Sequence, residues 1–253
     1  MTQDTNKNQV ALVTGAAQGL GKAIAKSLFD AGFAVVITDA NESGAKDAAL
    51  EIDATQNRVM AMKLDVLHKT DFTDVLEAAV ARFGKVDALV NNAAMTPTTP
   101  VMEITPEEFD KVVSVNMRGT FFGCQVFGQY FADNGYGRIV NMASLAGQNG
   151  GTASGAHYAS SKGAILTMTK IFARQLAEAG VTVNSVAPGP IDLPSVRALV
   201  PPERLEQIIN EMSPVKALGN AEFVADMVTR LVSPDAAFVT GAAWDVNGGI
   251  FMR

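Results

Sequence analysis

Val10-Ala-Leu-Val-Thr14-Gly15-Ala-Ala-Gln18-Gly19-Leu20-Gly21 is a short apolar run that breaks into three glycines and gives way to the helical spacing of Ala23, Ile24, Leu28 and Ala31. A strand, a tight turn and an amphipathic helix, in that order, make the first half of a strand-helix-strand unit. Further β-branched or apolar runs at 34–38, 58–64, 86–90, 138–142, 182–187 and 242–246 alternate with segments of helical period. One of these segments presents Phe72, Val75, Leu76, Ala79 and Val80 on one face. That alternation predicts parallel strands joined by crossover helices. Such crossovers are right-handed, so they place helices on both faces of the sheet.

The chain has 253 residues, within reach of one hydrophobic core, and 48% hydrophobic against 18% charged residues supply enough material to fill it. The expected architecture is an α/β fold, a Rossmann-type doubly wound seven-stranded parallel sheet, forming one domain over 10–253 behind a disordered tail at 1–9. Around 189–215, with Pro201 and Pro202, the alternation breaks and the segment reads as an inserted lid. A net charge of −6 and no run of Lys or Arg argue against nucleic acid and against an anionic membrane surface. The polar first nine residues have no apolar signal core, and no stretch approaches the roughly 18 apolar residues that span a bilayer. A cytoplasmic protein acting on small molecules is expected. Cys124 is the single cysteine, which excludes an intrachain disulfide and a C-x-x-C metal or redox site. It reads as a small buried hydrophobe, and no metal is expected.

The glycine turn implies a ligand. Gly15, Gln18, Gly19, Leu20 and Gly21 let the backbone approach a pyrophosphate, and the following helix presents free N–H groups and the positive end of its dipole to it. Asp39 ends the second strand, 18 residues beyond Gly21, where a carboxylate accepts hydrogen bonds from adenosine ribose hydroxyls and repels a 2′-phosphate. Neither the turn nor Ala40 and Asn41 offers an arginine or lysine to hold that phosphate, so NAD is expected rather than NADP. Asp65 and Val66 end the third strand, and Asn91-Asn92-Ala93-Ala94 the fourth. Both lie on the carboxyl edge of the sheet, near the adenine and the nicotinamide ribose respectively.

Tyr158 and Lys162 stand four apart at the start of a helical stretch, so their side chains emerge on one face. Lowering a phenol from pKa about 10 to about 7 takes about 4 kcal/mol, roughly what one cation at ~4 Å supplies in a partly screened site. Ser144 follows the fifth strand, where its hydroxyl can hold a substrate oxygen while Tyr158 moves the proton. Asn116 ends a helical pattern, and its side chain is expected to hold a water beside Lys162.

These features resemble the classical short-chain dehydrogenase/reductase family. The resemblance runs from about Gln9 to Asn247 through Thr14-Gly15-x-x-x-Gly19-x-Gly21, Asn91-Asn92-Ala93-Ala94, Asn116, Ser144, Tyr158-x-x-x-Lys162 and Pro188-Gly189. It implies a catalytic tetrad of Ser144, Tyr158, Lys162 and Asn116, hydride transfer at nicotinamide C4, and a homotetramer. It further implies cofactor contacts from Tyr158, Lys162, Pro188, Gly189 and Ile191. Ala94 stands where the family more often has glycine.

For the substrate, the segment after Gly189 carries Ile191, Leu193, Val196, Leu199, Val200, Leu205, Ile208 and Ile209, an apolar lid suited to a hydrophobic or cyclic secondary alcohol. Leu193, Met95 and Gln148 are expected near it. His157 faces away from Tyr158 on the helix and reads as structural, and His68 reads as surface. The expected activity is NAD-dependent interconversion of a secondary alcohol and its ketone. One alternative is a 3-oxoacyl-thioester reductase, an activity the resembled family also contains, generally with NADPH. Another is a dinucleotide-sensing or scaffold protein without turnover.

Overall fold

The computed structural model describes residues 6–151 and 154–253. Of the tail expected at 1–9, residues 1–5 lie outside the described residues. Residues 6–9 form a turn instead, in which Gln9 N–H donates to Asn6 C=O at 3.1 Å and Asn6 is buried.

Seven strands form one sheet: β1 (Val10–Thr14), β2 (Ala34–Asp39), β3 (Val59–Lys63), β4 (Ala88–Asn91), β5 (Gly137–Met142), β6 (Val181–Pro188) and β7 (Ala243–Val246). They run parallel in the order β3-β2-β1-β4-β5-β6-β7. The seven expected runs fall on these strands within a residue or two at each end. Every residue of β1 is buried, because a strand covered on both faces needs no polar side.

The helices are α1 (Gly19–Asp30), α2 (Glu42–Ile52), α3 (Lys69–Phe83), α4 (Pro106–Val113), α5 (Gly119–Asp133), the single turn α6 (Ala146–Asn149), α7 (Ala156–Leu176), α8 (Pro194–Leu199), α9 (Pro202–Gln207) and α10 (Ala221–Val232). Adjacent strand residues point to opposite faces, so Val13 joins Ile24, Leu28, Val224 and Val228 beneath α1 and α10. Leu12 joins Phe72, Val75, Phe127 and Phe131 beneath α3 and α5. The helix before Asn116 does not end there: residues 114–118 form a π turn through which α4 runs into α5. The extra residue of such a turn re-aims a side chain inward, and Asn116 is fully buried.

Two features position a site. The chain lays β2 and β3 on one side of β1 and then crosses to place β4 on the other, so a crevice opens at the carboxyl ends of β1 and β4. Segment 189–215, which carries α8 and α9, is tied at its neck. Asp192 N–H donates to Gly219 C=O and Gly219 N–H to Pro190 C=O, both at 2.8 Å. No helix among the described residues is long and apolar enough to cross a membrane.

Candidate active site

The glycine turn sits in the crevice, and its glycines serve different ends. Gly15 and Gly19 have φ of +63° and +57°, left-handed conformations that cost a side-chain-bearing residue. A Cβ on Gly15 would lie 2.7 Å from Ala93 Cα, and one on Gly21 would lie 2.2 Å from Gly15 O and 2.5 Å from Asn92 Nδ2. Gly15 thus packs the turn on the loop after β4, and Gly21 brings α1 close beneath it. At Gly19 a Cβ would meet nothing within 4 Å, leaving space beside the first N–H groups of α1. That cradle fits a pyrophosphate.

Side chains hold the cradle rigid. Thr14 Oγ1 accepts from Asn92 N–H at 3.0 Å and Ala93 N–H at 3.1 Å, while Asn92 Nδ2 donates to Thr14 O at 3.0 Å and Gly15 O at 2.9 Å. Asp39 Oδ2 accepts from Ala17 N–H at 3.1 Å and its Oδ1 from Asn41 N–H at 2.9 Å, so the carboxylate stands against the turn. Asp65 Oδ1 caps Leu67 N–H at 3.0 Å, and Val66 is buried where a Cβ on Gly119 would touch it.

Ser144, just after β5, and Tyr158 and Lys162, on the first turns of α7, line one cavity of about 330 Å³. Leu20, Asn92 and Ala94 extend it toward the glycine turn, and Pro188, Gly189 and Ile191 enter from the end of β6. Its far wall is apolar, formed by Leu193, Val196, Val200, Leu205 and Ile208 from segment 189–215.

The electrostatics differ from the expected phenol-ammonium couple. Burial raises the Tyr158 pKa above its ordinary value, and hydrogen bonds with the hydroxyls of Ser144 and Thr96 pull it back. Lys162 Nζ instead donates to Met142 C=O at 2.6 Å and lies 5.7 Å from the centroid of the Tyr158 ring. Burial lowers its pKa to about 8. A buried ammonium takes the nearest strong acceptor, here the carbonyl that ends β5, so in this arrangement two hydroxyls rather than the cation act on the phenol.

Asn116 also departs from expectation. Its Oδ1 accepts from Met95 N–H at 2.8 Å, and its Nδ2 donates to Met95 O at 2.9 Å and to Ser161 Oγ at 3.1 Å. Both side-chain donors are occupied, so it clamps the loop after β4 rather than donating to a water.

Of the three residues expected near substrate, Leu193 lines the cavity and the other two do not. Met95 turns inward and is held by Asn116. Gln148 turns away, and its Nε2 donates to Asp245 Oδ1 at 2.5 Å. Thr96, Thr98, Asn149 and Ser154 face the cavity in their place. The two-residue period of an extended strand-end loop was the available signal for Thr96 and Thr98; nothing local marked Asn149 or Ser154. His157 is structural, as expected: fully buried, with Nε2 3.0 Å from Glu108 Oε1. Cys124 is buried and its thiol is pushed up to about 12, inert as expected.

A family model described as enoyl-(acyl carrier protein) reductase matches residues 15–251. The chain belongs to the short-chain dehydrogenase/reductase family. It is therefore an oxidoreductase of the nicotinamide-dinucleotide class. It is 37% identical over 246 residues to the 3-oxoacyl-(acyl-carrier-protein) reductase FabG of Vibrio cholerae, covering 97% of this chain and 98% of that protein. Against FabG of Escherichia coli the identity is 36% over 248 residues, with coverage of 97% and 98%. It is also similar, at 35% over 243 residues and 96% of each chain, to the (2S)-((R)-hydroxy(phenyl)methyl)succinyl-CoA dehydrogenase subunit BbsD of Thauera aromatica.

Proposed function

We propose that this short-chain dehydrogenase/reductase interconverts a secondary alcohol and its ketone with NAD, using Tyr158 to move the hydroxyl proton. The observation that carries the reading is the convergence of Ser144, Tyr158 and Lys162 on a cavity that continues to Leu20 and Asn92 at the glycine turn. Gly15, Gln18, Gly19, Leu20 and Gly21 would surround the pyrophosphate, Asp39 the adenosine ribose, and Asp65 and Val66 the adenine. Asn92, Ala93, Ala94, Pro188, Gly189 and Ile191, with Tyr158 and Lys162, would hold the nicotinamide end. The bound dinucleotide supplies hydride exchange at its nicotinamide ring.

The protein's own groups handle the oxygen and its proton. Ser144 donates a hydrogen bond to the substrate oxygen; the Tyr158 phenol gives its proton to that oxygen in reduction, and the phenolate takes it in oxidation. Lys162, with an ammonium that titrates at about pH 8, holds a proton it can release in the working range. Asn116 fixes the loop that faces the phenol. Asp39, held against the glycine turn by Ala17 N–H, supports NAD, because a 2′-phosphate there would face a carboxylate.

The apolar wall from Leu193 to Ile208 suits a hydrophobic or cyclic substrate, while Thr96, Thr98, Asn149 and Ser154 give the opposite wall polar groups. This two-sided lining also favours a second reading, a 3-oxoacyl thioester and its alcohol. The names of FabG and BbsD, which describe acyl thioesters, point the same way. Assembly as a homotetramer is part of the proposal. It is supported by exposed Phe109, Phe121 and Ile171 on α4, α5 and α7, and by exposed Phe238 and Met252 near the C-terminal strand.

Nicotinamide absorbance, followed with cyclic and acyclic secondary alcohols, their ketones and 3-oxoacyl thioesters, each with NAD and NADP, tests all of this. Turnover of simple alcohols with NAD is expected. Exclusive turnover of 3-oxoacyl thioesters would establish the second reading, and a clear preference for NADPH would overturn the role given to Asp39.

A further inference from the structure

Segment 94–100 runs extended along one wall of the cavity with a period of two. Ala94, Thr96 and Thr98 face the cavity, while Met95, Pro97 and Thr99 turn into the protein. Each inward residue is pinned by a different element. Asn116 of the π turn brackets Met95 through both its backbone N–H and its C=O. Pro97 C=O accepts from Gly155 N–H at 2.9 Å, at the start of α7. Thr99 Oγ1 donates to Glu108 Oε1 at 2.6 Å, and the same oxygen pairs with His157 Nε2 at 3.0 Å. With both neighbours fixed, Thr96 points into the cavity that Tyr158 and Ser144 also line, and the Thr96 and Ser144 hydroxyls both act to hold the Tyr158 pKa down against burial. His157 precedes Tyr158 in α7, so the last pin and the phenol share one helical turn.

We propose that Thr96 is a third hydroxyl of the reacting centre, in hydrogen-bond contact with the phenol oxygen of Tyr158, and that His157 is the positioning residue that holds it there through Glu108 and Thr99. The proposal rests on the reading of Tyr158 as the proton-transferring group. Thr96 makes and breaks no covalent bond. Its O–H donates to the phenolate oxygen while that oxygen takes the alcohol proton, and the hydrogen bond weakens once the phenol is neutral. Among the described residues, Tyr158 and Lys162 are the only titratable side chains lining the cavity, and the His157–Glu108 pair lies behind the loop.

The test compares Thr96→Val, which keeps the shape and loses the hydroxyl, with Thr96→Ser, His157→Leu and the Thr96→Val/His157→Leu double variant. The first readout is the pH dependence of oxidation of a secondary alcohol from the panel above. The second is titration of tyrosinate absorbance, where Tyr158→Phe isolates one of only three tyrosines. Thr96→Val is expected to move the Tyr158 midpoint up by about one pH unit and to lower kcat/KM at neutral pH about tenfold, with Thr96→Ser within about threefold of wild type. His157→Leu is expected to move the same midpoint the same way by less, and the double variant to match Thr96→Val, because His157 acts through Thr96. A wild-type midpoint in Thr96→Val, or Thr96→Ser as impaired as Thr96→Val, overturns the role of Thr96; additive shifts in the double variant overturn that of His157. Full turnover by Tyr158→Phe would instead sink the underlying reading of the site, an outcome distinct from a silent Thr96→Val in an enzyme that Tyr158→Phe inactivates.

Discussion

The two ends of the cavity are built on different principles. At the glycine turn the groups proposed to bind the dinucleotide are backbone N–H groups, made accessible by the absence of side chains at Gly15, Gly19 and Gly21 and held by Thr14, Asn92 and Asp39. At the other end the groups proposed to handle the reacting oxygen are side-chain hydroxyls and a buried ammonium, placed by contacts from α4, the π turn and α7. The first end is a property of a short stretch of chain. The second exists only once distant elements have packed, and it holds a charge that burial disfavours.

The sharpest way to break this contrast is at the phenol. Tyr158→Phe should reduce turnover about a thousandfold, the range of a lost general acid–base, while dinucleotide binding followed by fluorescence stays near wild type. Parallel loss of binding would show that the two ends are not separable.

Next in size is the cost of the buried ammonium. Lys162 has a folded pKa of about 8 against an ordinary 10.5. Below pH 8 it is protonated in both folded and unfolded chains, and the fold bears the burial cost. Between about pH 8 and 10.5 the unfolded chain binds a proton that the folded one lacks, so stability rises with pH. Relative to Lys162→Met, wild type should gain about 3 kcal/mol across that window in urea unfolding. Cys124, pushed up to about 12, works in the opposite direction above pH 9 but is common to both proteins. A flat difference would mean that the ammonium is not buried as described.

Gly21→Ala addresses the other end. Its Cβ would lie 2.2 Å from Gly15 O, backbone that cannot yield cheaply, so a loss of about 2 kcal/mol in stability or dinucleotide affinity is expected. The smallest effects test the alternation of the loops. Thr98→Val should change the KM of a responsive substrate severalfold, whereas Gln148→Ala, which loses its bond to Asp245, should change it less than about twofold. The reverse order would mean that the wrong residues have been placed on the cavity.

How much could be read in advance follows the same division. β1, its glycines and Asp39 were legible because each carries its own constraint: an apolar run must be covered, and a glycine turn followed by a helix needs no remote partner. The helix was misread at Asn116 because a π turn leaves no mark in hydrophobic spacing, and an asparagine there looks like a stop. The Lys162–Tyr158 pair was placed on one face, and the ammonium lies 5.7 Å from the Tyr158 ring centroid, yet spacing cannot say that it donates to the Met142 carbonyl. Met95 is expected near substrate from its place after the Asn91-Asn92 pair, and position alone does not say which residues of the loop face the cavity. The loop's direction was decided by Asn116, Gly155 and Glu108, which lie 21, 58 and 9 residues beyond their partners Met95, Pro97 and Thr99.

The sequence by itself determined the doubly wound sheet, the glycine cradle on its carboxyl edge and the family to which the chain belongs, because strand period, glycine geometry and the strand-end carboxylate act within a few residues. The tertiary structure alone decided which residues face the cavity and what the phenol touches. Those outcomes turn on hydrogen bonds between elements far apart in sequence, where shifting an extended loop by one residue exchanges the side chains that meet the substrate for those that meet the core.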